Sequence, residues 1–180
     1  GVIPGWGGCA AMLARLAADK RRPRGPMPAV TSVFQTIAMV TVSGSAFEAQ
    51  NLGFLRPDDG VTFNRERLLS DAKSRALALV EGYQPPEPVE LNLPGESGRV
   101  LLEFVVDDFK ARGMALAHDE KINKILARVL SGGSKADITR PLSEEELHDL
   151  EREAFIELVK TEGSLARMEH MLKTGKPLRN

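Results

Sequence analysis

A mostly α fold, built of helical hairpins with very little strand, is what this sequence predicts. Three observations carry that expectation. Apolar residues recur at spacings of three and four in segment after segment, as on one side of a helix. Gly and Pro punctuate these segments at their ends rather than in their middles. Alternating strand-like runs are almost absent.

Each element follows from its own residues. Gly8 to about Lys20 reads as the first helix, with Met12, Leu13, Leu16 and Ala17 on one side and Pro23 and Gly25 as the stop. Lys20 to Pro28 is a basic, Pro-rich connector. Val30 to Met39 is expected as the second helix, through Val33, Phe34 and Ile37. Ser43-Gly44-Ser45 then makes a capped turn into a short helix, Ala46 to Leu52, with Gly53 at its left-handed end. Phe54-Leu55 is expected as a short strand, closed by Arg56-Pro57-Asp58-Asp59-Gly60.

Asn64 caps the next helix, which carries Leu68, Leu69, Ala72, Ala76 and Leu79 and stops at Gly82. Tyr83 to Gly95 holds four prolines and is the best linker. Its alternating Val89, Leu91 and Leu93 predict a strap with one side covered. From Ser97 onward helical hairpins are expected. One stripe is Leu101, Phe104, Val105 and Phe109, and another is Ile122, Ile125, Leu126 and Val129, closed by Ser131-Gly132-Gly133. Ser143 and Glu146 form a capping box before Leu147, Leu150, Ala154, Phe155 and Leu158. The last helix spans about Gly163 to Thr174, ended by Gly175 and Pro177. These breaks divide the chain into 1–82, a linker at 83–96, and 97–180.

Composition narrows the function. The 180 residues are 42% hydrophobic and 27% charged, a mixture able to bury a core. Lys+Arg total 24 against 25 Asp+Glu, a net charge of −1, far from the basic balance of a dedicated nucleic-acid binder. No apolar run approaches the roughly 18 residues of a membrane span. A single cysteine excludes an internal disulfide framework and a cysteine zinc site. The compartment expected is the cytoplasm.

The chain opens Gly1-Val2-Ile3-Pro4-Gly5-Trp6-Gly7-Gly8, without Met, and reads as a piece of a longer protein entered mid-domain. The glycine elbow running into a helix can hold an anion, a carbonyl oxygen or a water on its free N–H groups, or serve only as a tight entry turn. It is neither a Walker A loop nor a completed dinucleotide fingerprint.

Several other residues have plainer readings. Cys9, at a helix start, has no histidine near it in sequence and reads as a small buried hydrophobe. His118, His148 and His170 fall on separate helices, which makes a metal site improbable. Lys20, Arg21, Arg22 and Arg24 form the strongest basic cluster, suited to phosphates but ordinarily a solvated loop. Glu144, Glu145 and Glu146 complement a helix dipole, and Asp107-Asp108 is a solvated helix side.

Val2 to Gly8 resembles the P-G-x-G-G turn of the crotonase (enoyl-CoA hydratase/isomerase) superfamily. Later segments keep that family's order. Thr36 to Val40 resembles the helix before its "TG" turn, and Ser45 to Leu55 resembles its "A-x-E-A-x-x-x-G-L-V" segment. Leu150 to Pro177 resembles its C-terminus, with Thr161-Glu162-Gly163 and Gly175-Lys176-Pro177 as partial matches. His170 to Asn180 is similar to the ending of long bacterial proteins that fuse a 3-hydroxyacyl-CoA dehydrogenase to a C-terminal crotonase domain.

The resemblance implies that this chain is the C-terminal helical portion of a crotonase-like α/β fold. It implies a fatty-acid β-oxidation enzyme that hydrates 2-enoyl-CoA and then oxidises the 3-hydroxyacyl-CoA with NAD. It implies an acyl-CoA substrate, a homo-oligomer, and an upstream part carrying both catalytic glutamates and the oxyanion donors. Within this chain it assigns the Gly5 N–H to positioning the attacking water, Trp6 to the acyl pocket, and Lys173 and Lys176 to coenzyme A. The isolated piece is expected to be inactive, with NAD bound only by the parent. The other reading is a non-catalytic helical module for protein interaction or oligomerisation.

Overall fold

Eight α-helices and one two-residue antiparallel ladder make up the protein, here in a computed structural model describing residues 1–180. The helices are α1 (Gly8–Ala18), α2 (Pro26–Ala38), α3 (Ala46–Asn51), α4 (Leu68–Ala78), α5 (Gly95–Ala111), α6 (Ala117–Ser131), α7 (Glu144–Val159) and α8 (Glu162–Thr174). The strands are β1 (Glu90–Leu91) and β2 (Leu142–Ser143), paired Glu90 to Ser143 and Leu91 to Leu142. The mostly α expectation with very little strand is met. Two compact units emerge, Gly1–Thr41 with Val89–Asn180, and Val42–Pro88.

The first unit is organised around α6. Ile125, Leu126, Ala127, Val129 and Leu130 are all buried, so this helix is apolar over most of its circumference along its second half. It meets α5 most extensively and also touches α1, α2 and α7. From α2 come Val30, Val33 and Phe34, from α1 Leu13 and Leu16, and from α7 Leu147, Ala154 and Leu158. The strap behaves as its alternation predicts: Leu91 and Leu93 are buried while Glu90 and Asn92 are exposed. Joining the segments before and after the Pro-rich stretch, this unit takes α1 and α2 together with α5 to α8.

Local signals account for most helix ends. Ser143 accepts from the Glu146 N–H at 3.2 Å, and the Glu146 carboxylate accepts from the Ser143 N–H at 3.1 Å, closing the expected box. Arg140 donates to the same carboxylate, and these contacts hold it below the usual range. Thr161 caps α8, and Gly132 and Gly175 end α6 and α8 in the left-handed region.

Two sequence expectations need correction here. The α5 stripe is displaced: Leu102 and Val106 are buried, with Gly98, whereas Leu101 and Phe104 are exposed. Val100 to Leu102 and Phe104 to Val106 are two apolar triplets, so two overlapping stripes were available, and the small Gly98 admits a close neighbour on the Leu102 side. On α7, Phe155 stays 38% exposed rather than buried, and the polar Glu151 lies on the buried face.

The second unit is held differently. Ser45 accepts from Glu48 N to cap α3, and Gly53 follows with φ 81° as expected. Asn64 caps the turn Arg65–Arg67 that leads into α4. Phe54 and Leu55 form no strand; their N–H groups donate to the Ala49 carbonyl in a helix-terminating turn. The expected apolar side of α4 exists in the sequence, but no residue of that helix is buried.

Candidate functional site

The glycine elbow is closed from within by a residue distant in sequence. Gly7 has φ 81°, in the left-handed region that favours glycine. The His148 ring lies so near that a Cβ on Gly7 would come 2.7 Å from its Nε2. Helix α1 has no side-chain cap and no acidic residue in its first turn. Glu151 of α7 supplies both functions. The residue is 2% exposed, and its carboxylate accepts from the Gly7 N–H at 2.7 Å and from the Ala10 N–H at 2.9 Å. A buried carboxylate requires strong partners, and here the positive end of α1 stands where a cation would otherwise be needed.

Cys9 lies beside this carboxylate, fully buried. Burial first, and then the Glu151 charge, push its thiol far above the ordinary range. A protonated, inaccessible thiol is no nucleophile, in keeping with the reading of Cys9 as a buried hydrophobe.

Glu151 was not singled out from the sequence, although a signal was present. Leu147, Leu150, Ala154 and Leu158 trace the buried side of α7, and position 151 falls on that same side. A glutamate on an apolar stripe needs a buried partner. His148, three residues before it and against Gly7, stands 3.7 Å from Glu144.

The remaining assigned residues lie on the surface. Trp6 is fully exposed with φ 58°, and Gly5 is exposed with open space where a side chain would be. The Gly5 N–H donates to no group of the chain, whereas its carbonyl accepts from Gly8 at 3.3 Å. Lys173 pairs with Glu169 one turn earlier on α8. Lys176 follows that helix, its N–H donating to Thr174 Oγ1 at 3.1 Å.

A half-open cleft of about 560 Å³ lies elsewhere in the first unit, between the end of α1, the start of α2 and the β1 strap. Leu13, Val30 and Leu93 contribute apolar walls, and Lys20, Arg22 and Arg24 contribute cations. Gly5, Trp6, Lys173 and Lys176 are not among its lining residues. The basic connector is partly neutralised by Asp19, whose carboxyl the Arg21 hydrogen bonds hold down to about 2. Arg22 also approaches Asp19, at 3.6 Å.

A second polar cluster secures the start of the chain. His118 Nε2 lies 2.9 Å from Ser164 Oγ, which donates to the Gly1 carbonyl. Burial, followed by the nearby Arg167 charge, lowers the His118 pKa. Arg167 also grips Asp119 at 2.7 Å. Although burial opposes it, the Leu116 N–H and the Arg167 guanidinium keep the Asp119 carboxyl below its ordinary range. Ser164 is wholly buried and its proton is committed to Gly1, so this pair is a clasp rather than an activated nucleophile.

No group of three or more His, Cys, Asp or Glu side chains is arranged to hold a metal ion. No helix is long and apolar enough to cross a membrane.

Comparison with known proteins gives one strong similarity. The chain is 41% identical over 181 aligned positions to a protein of Bacillus subtilis (strain 168) named "Probable 3-hydroxyacyl-CoA dehydrogenase". That alignment takes in all of this chain but only 22% of the relative's length. No family model matches the chain, and no solved structure matches it.

Proposed function

We propose that this chain is one segment of a 3-hydroxyacyl-CoA dehydrogenase-type protein of fatty-acid degradation. Within it, the chain forms the C-terminal helical part of a crotonase-like domain that hydrates 2-enoyl-CoA thioesters. The 41% identity running through the whole chain supports the dehydrogenase-type parent, and the crotonase-like part of the reading rests on the resemblance of the opening elbow and the later segments. Compartment and assembly follow the same reading: a cytoplasmic homo-oligomer.

The chain's own geometry supports a limited chemical role. Glu151 takes the Gly7 and Ala10 amides, which leaves the Gly5 N–H available to a water. A fixed backbone donor of this kind stabilises charge as it develops, without reorganising. General acid and base work belongs to carboxylates upstream of Gly1. Trp6 supplies an apolar wall, and Lys173 and Lys176 supply charge for the phosphates of coenzyme A.

The residues present do not suit NAD. Two-residue strands cannot form the strand–helix–strand unit that places a pyrophosphate on a helix N-terminus. The dinucleotide is assigned to the rest of the parent.

The purified chain is expected to show no turnover of crotonyl-CoA, and measurable turnover would contradict the division of labour. In the longer polypeptide, Gly5→Pro removes the N–H and is expected to lower kcat by roughly 100-fold, the scale of losing one such donor. Unchanged kcat at unchanged melting temperature would refute the role of Gly5. Titration with acetyl-CoA or decanoyl-CoA, read by thermal shift, separates this reading from a purely interacting module. The latter shows no shift and a clear dimer in light scattering.

A further inference from the structure

The basic cluster of the connector after α1 has no part in the proposed thioester chemistry, yet three of its cations line a cavity. Lys20, Arg22 and Arg24 stand on the half-open cleft between the end of α1, the start of α2 and the β1 strap. Its floor is apolar and belongs to the core: Leu13, Val30, Leu91 and Leu93 are each at most 5% exposed. Ile138, 70% exposed, adds an open apolar wall. At about 560 Å³ the cleft has the size of a small-molecule site, roughly 300–1,000 Å³.

The charges on the cleft are of two kinds. Arg22 is tied down, donating to Ser32 Oγ at 3.2 Å and standing 3.6 Å from Asp19. Asp19 is in turn held by Arg21, which is not on the cleft. Lys20 and Arg24 pair with no carboxylate of the chain. Gly25 and Pro26, at the start of α2, open on the same space without a side-chain cap or an acidic residue in the first turn. The partial positive charge of that helix end adds to the two unpaired cations, and only Glu90 of the strap opposes them. An apolar floor under a cationic rim favours a ligand that is neither a bare ion nor a plain hydrocarbon.

We propose that this cleft binds a small amphiphilic anion, a short apolar body carrying one carboxylate or phosphate head. The body lies on Leu13, Val30, Leu91 and Leu93, the head meets Lys20 and Arg24, and the anchored Arg22 holds the rim in shape. None of Gly5, Trp6, Lys173 and Lys176 lines the cleft, so this site is separate from the elbow. It stands or falls independently of the proposed thioester chemistry.

Titration calorimetry with octanoate, octyl phosphate, octanol and inorganic phosphate tests it, on this chain and on the longer polypeptide, with backbone amide NMR shifts locating the site. An octyl anion is expected to bind, the tighter of the two identifying the head, while octanol and inorganic phosphate each bind roughly tenfold more weakly. Shifts are expected at residues 17–30 and 91–93. Lys20→Gln combined with Arg24→Gln should weaken the anion roughly tenfold, at about threefold for each solvent-facing ion pair, and leave octanol unchanged. Ala17→Trp, at an exposed position on the wall, should block both, and Lys160→Gln, away from the cleft, should alter neither. Equal affinity for octanol and the anions overturns the proposal, as does an unchanged affinity in the double variant. So do shifts confined to other residues, the absence of saturable binding by either anion, or binding by this chain that is lost in the longer polypeptide, where the cleft is then covered.

Discussion

The two units use the same alphabet to different ends. In Gly1–Thr41 with Val89–Asn180, apolar stripes meet one another: Phe34, Leu126, Leu130, Leu142 and Leu147 are among the largest fully buried side chains. In Val42–Pro88, apolar residues face outward instead, with Phe47, Phe63, Leu69 and Tyr83 exposed. An apolar stripe in the sequence therefore does not by itself say that its partner lies within the chain. Helix caps behave alike in both, because Ser45, Asn64, Ser143 and Thr161 act on the first turn of their own helix.

The largest expected effect concerns the buried carboxylate of the first unit. Glu151→Ala leaves the Gly7 and Ala10 amides without their acceptor in a dry interior and is expected to cost about 2–5 kcal/mol, at roughly 1–3 for each unpaired donor. Chemical denaturation of the first unit would measure it. A loss below about 1 kcal/mol would mean that water replaces the carboxylate easily.

A matched pair of truncations sharpens the contrast. Phe34→Ala, at a fully buried site, is expected to cost about 3–5 kcal/mol, whereas Phe63→Ala in the isolated chain should stay within about 0.5 kcal/mol. Equal losses would erase the distinction between the units.

Gly163→Ala should be smaller, at about 1–3 kcal/mol, since a Cβ would come 2.6 Å from the His118 ring. Because His118 also meets Ser164, the same change should loosen the Gly1 clasp and speed proteolysis of the N-terminal residues.

The smallest effect is one of pH. Lys110 on α5 and Lys124 on α6 hold the Glu120 carboxyl down to about 2 from its ordinary 4.5. A depressed folded value means the stabilisation is complete above about 4.5 and fades as pH falls toward 2. The pair is at the surface, so the effect is slight. Melting temperatures of the protein and of Glu120→Gln should differ at neutral pH and converge in acid; a constant gap would exclude this clamp.

Legibility in the sequence followed range. The helices, the capping box, the strap of Leu91 and Leu93 and the glycine stops could be read, because each depends on neighbours within a turn or on a simple period. The choice between Leu101 and Leu102 as the buried side of α5 could not, since both positions lie on apolar stripes and the neighbouring α6 decides. At the candidate site, the elbow and its helix were visible, as was the inert Cys9. The Glu151 cap was missed because its partners lie 144 and 141 residues away. Trp6 was expected against an acyl pocket, yet within this chain it stands in solvent.

Glu151 is a single buried acid that accepts from two amides at the start of α1, Gly7 and Ala10, and the proposed role of the Gly5 N–H depends on that arrangement. Residue-resolved amide exchange at Gly7, Ala10 and Gly5 tests it most directly. Gly7 and Ala10 are expected to exchange only through global unfolding of the first unit, at the same free energy as the core of α6, while Gly5 exchanges freely. Rapid exchange at Gly7 and Ala10 under native conditions would contradict it.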